Sequence, residues 1–176
     1  MQTTYVKPLQ TMMEVFESLP EGTSAQLINN QIVMSPAPSD AHQEVLGKIY
    51  RRLGDYVENN GLGKTRVAPY DVYLNRRNAY QPDVVFIATA NLHKIQPNGL
   101  HGAPDLVIEV LSPSSWYYDK GDKKNEYERS GVKEYWVVDP VTKITEGYWL
   151  VNGEYEELST EEGKLSLRLL AHTIVF

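Results

Sequence analysis

The run from Pro104 to Ser115, PDLVIEVLSPSS, places Glu109 inside an otherwise apolar stretch. Leu106 to Leu111 reads Leu, Val, Ile, Glu, Val, Leu, the near-continuous pattern of a strand covered on both faces. Such a strand needs packed structure on each side, so this run constrains the fold before any other feature does. An ionised carboxylate in that setting costs several kcal/mol unless a partner compensates it. Two explanations stand side by side: a buried structural ion pair, or a ligand for a metal ion and its chemistry.

The flanking sequence supplies the layers. Thr11 to Leu19 predicts a short opening helix, with Thr11 and Glu14 at capping-box spacing and Pro20 behind them. AQLINNQIVMSP predicts two short strands turning at Asn29-Asn30. SDAHQEVLGKIYRRLGDYVENNG predicts a long helix. Its apolar stripe is Val45, Leu46, Ile49, Leu53, Tyr56 and Val57, with Ser39 or Asp40 as cap and Gly61 as stop. Strands are expected at Thr65–Leu74, Asp83–Ile87 and Asp105–Leu111, and a charged helix from Asp119 to Ser130 ending at Gly131. KEYWVVDP is another buried strand, stopped at Asp139-Pro140. A β-meander follows, with a hairpin signal at Asn152-Gly153. This order predicts an α/β (mixed α+β) fold: a central mixed sheet flanked by helices, in one domain over residues 1–176. The late strands either extend that sheet or form a small second layer.

The chain has no cysteine, which removes disulfides, thiolate zinc sites and cysteine nucleophiles together and suits a reducing cytoplasm. The opening residues lack the apolar core of a signal peptide and no run is long enough to span a bilayer, so a cytoplasmic protein is expected, with no membrane partner. Net charge is −6, which by itself argues against nucleic-acid binding. Much of that charge lies late, where six acids between Ile144 and Phe176 face only Lys164 and Arg168. Clusters such as Lys48/Arg51/Arg52, Arg76/Arg77 and Lys120/Lys123/Lys124 remain for local positive patches, or for ordinary solvated surface.

Upstream of Glu109, YQPDVVFIA is a second apolar strand opened by Asp83. Two core strands with one acid each predict that the carboxylates meet across the ladder, about 5 Å apart, a span one divalent cation can bridge. Asp105 points to the same face but lies about 13 Å along the strand, so it reads as a strand-edge cap. In KGDKKNEYERSGV, a helix could return Lys123 over the sheet with Tyr127 four residues on and on the same face. Two carboxylates and a lysine suit phosphodiester hydrolysis: the acids hold Mg²⁺ or Mn²⁺, and the ammonium orients water or steadies negative charge. Spacing alone leaves buried ion pairs and a solvated helix lysine open as alternatives.

Pro82-Asp83, followed 26 residues later by Glu109, resembles the PD-(D/E)XK nuclease superfamily. More specifically, APDLVIEVLSPSS…YDKGDKKNEYERSGVKEYWVVDP resembles the restriction-endonuclease-like bacterial family often called Uma-two. The likeness extends to AQLINNQIVMSPAPSDAHQEV and QPDVVFI, and so over almost the whole chain. The resemblance implies a restriction-endonuclease-like core and a Mg²⁺- or Mn²⁺-dependent endonuclease acting on DNA. It makes Asp83 and Glu109 the metal ligands and Lys123 the catalytic lysine. Leu111 stands where the superfamily usually has its lysine; the family moves that lysine to the following helix. Lys124 competes with Lys123 for the role. His42 matches a family position at the start of the long helix. Gln26 stands where the family usually has an acid, and it cannot supply charge to a second metal. By analogy with superfamily nucleases that pair to cut both strands, a homodimer is expected. The non-enzymatic alternative is a nuclease-fold module that binds a protein or nucleic acid without cutting.

Overall fold

In the computed structural model, which describes residues 10–112 and 120–176, the chain opens with the short helix α1 (Met12–Glu17). The reciprocal capping box is present: Glu14 N–H donates to Thr11 Oγ1, and Thr11 N–H donates to Glu14 Oε2. β1 (Ala25–Ile28) and β2 (Gln31–Met34) form the first hairpin, turning on Asn29 and Asn30. Both have positive φ, at 49° and 67°, which short polar side chains tolerate. α2 (Asp40–Asn59) follows, capped by Ser39 and closed beside Gly61 at φ 62°.

The stretch Thr65–Leu74, expected as one strand, is two. β3 (Gly63–Val67) ends before a cis Ala68-Pro69 bond, and β4 (Val72–Asn75) begins in a different sheet. The apolar count across the stretch could not reveal this break, because proline at its centre cannot donate to a ladder. β5 (Asn78–Tyr80), β6 (Val84–Ala88), a 3-10 turn at Thr89–Lys94, β7 (Ile95–Gln96), β8 (Gly99–His101) and β9 (Leu106–Val110) come next. The charged helix is α3 (Asp122–Ser130), closed by Gly131 in the left-handed conformation. Its expected start at Asp119 lies outside the described residues. β10 (Glu134–Val138), β11 (Ile144–Val151), β12 (Glu154–Glu162), β13 (Lys164–Leu167) and β14 (His172–Val175) complete the chain. β11 and β12 turn on Asn152-Gly153, as the hairpin signal predicts.

The central mixed sheet has the order β12-β11-β10-β9-β6-β3, with β9 and β10 parallel and the other pairs antiparallel. A second six-stranded sheet, β2-β1-β5-β4-β8-β7, accompanies it. Of the late strands, β11 and β12 extend the central sheet while β13 and β14 form a separate pair. Alternation along β9 divides the core as a strand must. Leu106, Ile108 and Val110 pack with Val45, Ile49 and Leu53 of α2, and with Leu165 and Ile174 of the β13–β14 pair. Val107 packs on the opposite side with Val72 and Leu100 of the second sheet and Tyr127 of α3. The central strands are therefore covered twice, which is why they read as continuous apolar runs.

Candidate active site

Glu109 shares its parity with Val107, so it faces α3 and the second sheet. Immediately before β6, Asp83 shares its parity with Val85 and Ile87, which belong to that same layer. The register pairs Val84 with Ile108, and one further step sets Asp83 directly across from Glu109. Two reciprocal bonds fix the pair. The Asp83 amide donates to Glu109 Oε2 at 3.2 Å, and the Val110 amide donates to Asp83 Oδ2 at 2.7 Å. Both acids thus meet at one end of the ladder, as the two-strand pattern predicts.

α3 closes over them. Lys123 Nζ lies 3.0 Å from Glu109 Oε1, and the Tyr127 hydroxyl donates to the same oxygen at 2.8 Å. Four residues apart on the helix, Lys123 and Tyr127 project from one face, and both are buried. Lys124 points elsewhere, its Nζ 3.7 Å from the centre of the Tyr148 ring. One residue of helix rotation, about 100°, separates a buried ammonium at the acids from a cation resting on an aromatic surface. The structure thus brings Lys123 to the acids and leaves Lys124 away from them.

Tyr80 completes the surroundings of Lys123 and was not singled out by sequence. Its ring centre lies 6.0 Å from Lys123 Nζ and 5.6 Å from the Tyr127 ring, edge to face. Its hydroxyl is tied to Asn78, and burial pushes its ionisation well above the ordinary tyrosine range. The only local hint was position, two residues before Pro82-Asp83 on an apolar strand.

His42 reaches Asp83 from the first turn of α2, with Nε2 3.3 Å from Oδ2. Burial by itself lowers the imidazole pKa, but the Asp83 hydrogen bond and charge outweigh it, so the net shift is upward. His42 Nδ1 is buried with no hydrogen-bond partner among the described residues. Gln26 lines the same cavity from β1, its carbonyl accepting the Gln81 amide at 3.1 Å. The cavity measures about 530 Å³, and Asp83, Glu109 and Lys123 stand at its floor with Ser112, Pro36 and Pro69 among its walls.

Asp105 stays apart, as its distance along the strand predicts. It accepts from the Ala88 amide, the Asn91 side chain and Lys133 Nζ, closing the far end of β9. Burial raises its pKa, but Lys133 and those donors outweigh burial and hold it below the ordinary carboxylate range.

A family model, Uma2, described as "Putative restriction endonuclease", matches residues 13–174. The chain belongs to the Uma2 family. Among solved structures, its fold is similar to that of a protein described as a putative nuclease belonging to DUF820, from Anabaena variabilis ATCC 29413. The TM-score is 0.75 at 16% identity, covering 93% of this chain and 92% of that one. Among curated proteins, none matches. The fold is thus that of a nuclease-like Uma2 domain, and no helix among the described residues is long and apolar enough to cross a membrane.

Whether this Uma2 site suits a divalent cation can be judged from its donors. Among the described residues no three His, Asp or Glu side chains gather into an enclosing set, so two carboxylates are what the protein offers. Asp83 Oδ2 is engaged, while its Oδ1 has no hydrogen-bond partner among the described residues. Glu109 receives Lys123, Tyr127 and the Asp83 amide across its two oxygens. Hard oxygens of this kind fit Mg²⁺ or Mn²⁺, ions held by one or two carboxylates with water completing the shell.

Proposed function

We propose that this Uma2 protein is a metal-dependent nuclease that hydrolyses phosphodiester bonds in DNA. The observation that carries this reading is the convergence of Asp83, Glu109 and Lys123 on one cavity floor from three different elements. Asp83 and Glu109 would hold Mg²⁺ or Mn²⁺, which supplies Lewis acidity toward water and a phosphate oxygen. Tyr127 and the Asp83 amide orient the Glu109 carboxylate; the Val110 amide and His42 orient Asp83. Lys123 presents the positive charge that steadies the phosphate as negative charge builds. Because the ammonium comes from α3 and not from β9, Leu111 is free to stay apolar.

The test is cleavage of mixed DNA and RNA substrates with Mg²⁺ or Mn²⁺, run beside Lys123→Ala. A second readout is melting: either cation should raise the transition temperature, and Asp83→Ala should abolish that rise. Cleavage that persists undiminished in both variants sinks the assignment. A non-cutting binding module is the second reading, favoured by one feature: Gln26 brings no charge, and its carbonyl already accepts the Gln81 amide. That module would bind without cleaving, whatever cation is present.

A further inference from the structure

The walls of the cavity say more about the substrate than its floor does. Of the described residues that line it, only His42 and Lys123 can carry positive charge, and both already face acids, at 3.3 and 3.0 Å. Among the described residues no arginine lines it. The lips are instead prolines (Pro36, Pro38 and Pro69) and neutral donors such as Ser39 and Gln43. Proteins that grip duplex DNA neutralise several phosphates with Lys and Arg, and this mouth offers no such row. Depth points the same way. Glu109 is 2% exposed, at the bottom of a recess of about 530 Å³. A duplex is stiff over roughly 150 base pairs and carries its phosphates on a rigid rod, which cannot fold into such a recess. A single strand can bend and enter.

Gln81 and Pro69 also form the wall to a second cavity of about 490 Å³, lined by Glu17, Glu21 and Asp71 with no basic residue among the described residues. A polyanionic backbone is repelled from that side. We infer that the site is built for an unpaired strand, a single-stranded segment or a frayed end, held by neutral hydroxyl and amide donors and leaving away from the Glu17/Glu21/Asp71 cavity. This rests on the nuclease reading for its substrate, though not for its test.

Fluorescence anisotropy of the intact protein with Ca²⁺, a hard cation taking the same oxygen donors, would compare three DNA probes. They are a short mixed-sequence single strand, the same sequence as a blunt duplex, and that duplex bearing a single-stranded tail. The single strand and the tailed duplex should bind, and the blunt duplex should not. With one or two phosphates neutralised, affinity should fall only about 3- to 7-fold between about 50 and 200 mM salt, against about 10³-fold or more for six or more contacts. Gln43→Glu, an isosteric change at an exposed lip residue, should weaken strand binding at least about tenfold by placing like charge in the mouth. Blunt duplex binding as tightly as the strand, a salt dependence spanning decades, or an unaffected Gln43→Glu would each overturn the inference. Strand binding with no Mg²⁺- or Mn²⁺-dependent cleavage leaves this inference standing and removes the nuclease reading. Cleavage confined to blunt duplex does the reverse, and no binding by any probe overturns the inference.

Discussion

Glu109 is both halves of the question its sequence poses. It lies in a buried ion pair with Lys123, and it stands where a cation ligand is wanted. Before the pair is seen, an isolated carboxylate suggests that Glu109→Gln would stabilise the metal-free protein. The Lys123 contact reverses that expectation, because the amide leaves a buried ammonium without its counter-charge. Urea titration should show Glu109→Gln destabilised by about 1–3 kcal/mol, with most of the loss recovered when Lys123→Met is added in the same chain. Equal loss in the double variant would mean that the ion pair is not the source. For catalysis the two neighbouring lysines should separate cleanly. Lys123→Met should lower metal-dependent cleavage about 100-fold or more, whereas Lys124→Ala, which loses its contact with Tyr148, should leave the rate within about twofold. A rate loss confined to Lys124→Ala would transfer the role.

Elements position these residues through packing that tolerates little change. β10 and β11 pair antiparallel with Gly147 opposite Trp136, and the β11–β12 register shifts just after Gly147. A Cβ on Gly147 would come within 2.7 Å of the fully buried Trp136 ring. Gly147→Ala should therefore cost about 1–3 kcal/mol by overpacking, readable as a lowered melting temperature with an unchanged urea m-value. Trp136 in turn donates its indole N–H to Glu134, whose buried carboxylate also accepts the Arg168 and Leu169 amides and so pins the β13–β14 connection. Burial pushes the Glu134 carboxyl above its ordinary range, with those three donors only partly opposing it. That acid was not legible as structural in KEYWVVDP, since two of its three donors come from more than thirty residues downstream.

Across the whole molecule, the opposite ends of β9 serve different purposes, with the candidate site at one end and Asp105 with Lys133 closing the other. The closing end has a pH signature. The Asp105 pKa is lowered in the folded state, so its contribution is fully present above the unfolded value near 3.8 and is lost as pH falls through the lower folded value. Asp105→Asn should be less stable than the natural chain at pH 7 and should show a shallower loss of stability below about pH 4. Denaturant midpoints measured from pH 7 down to the acid transition would check this, and parallel curves for the two chains would refute it.

The sequence alone determined what depends on neighbours a few residues apart: the Thr11/Glu14 cap, the two Asn-led turns, the α2 stripe, and the parity that sets Asp83 and Glu109 on one face. Helix and strand periods and local turn chemistry need nothing from the rest of the chain. Tertiary structure alone decided between Lys123 and Lys124 at Glu109, that Pro69 splits one apolar stretch between two sheets, that His42 meets Asp83 and that Tyr80 flanks Lys123. Each of those depends on the rotation or docking of one element against another distant in sequence. A single residue of helix phase or one inserted proline changes that outcome without changing the apolar pattern.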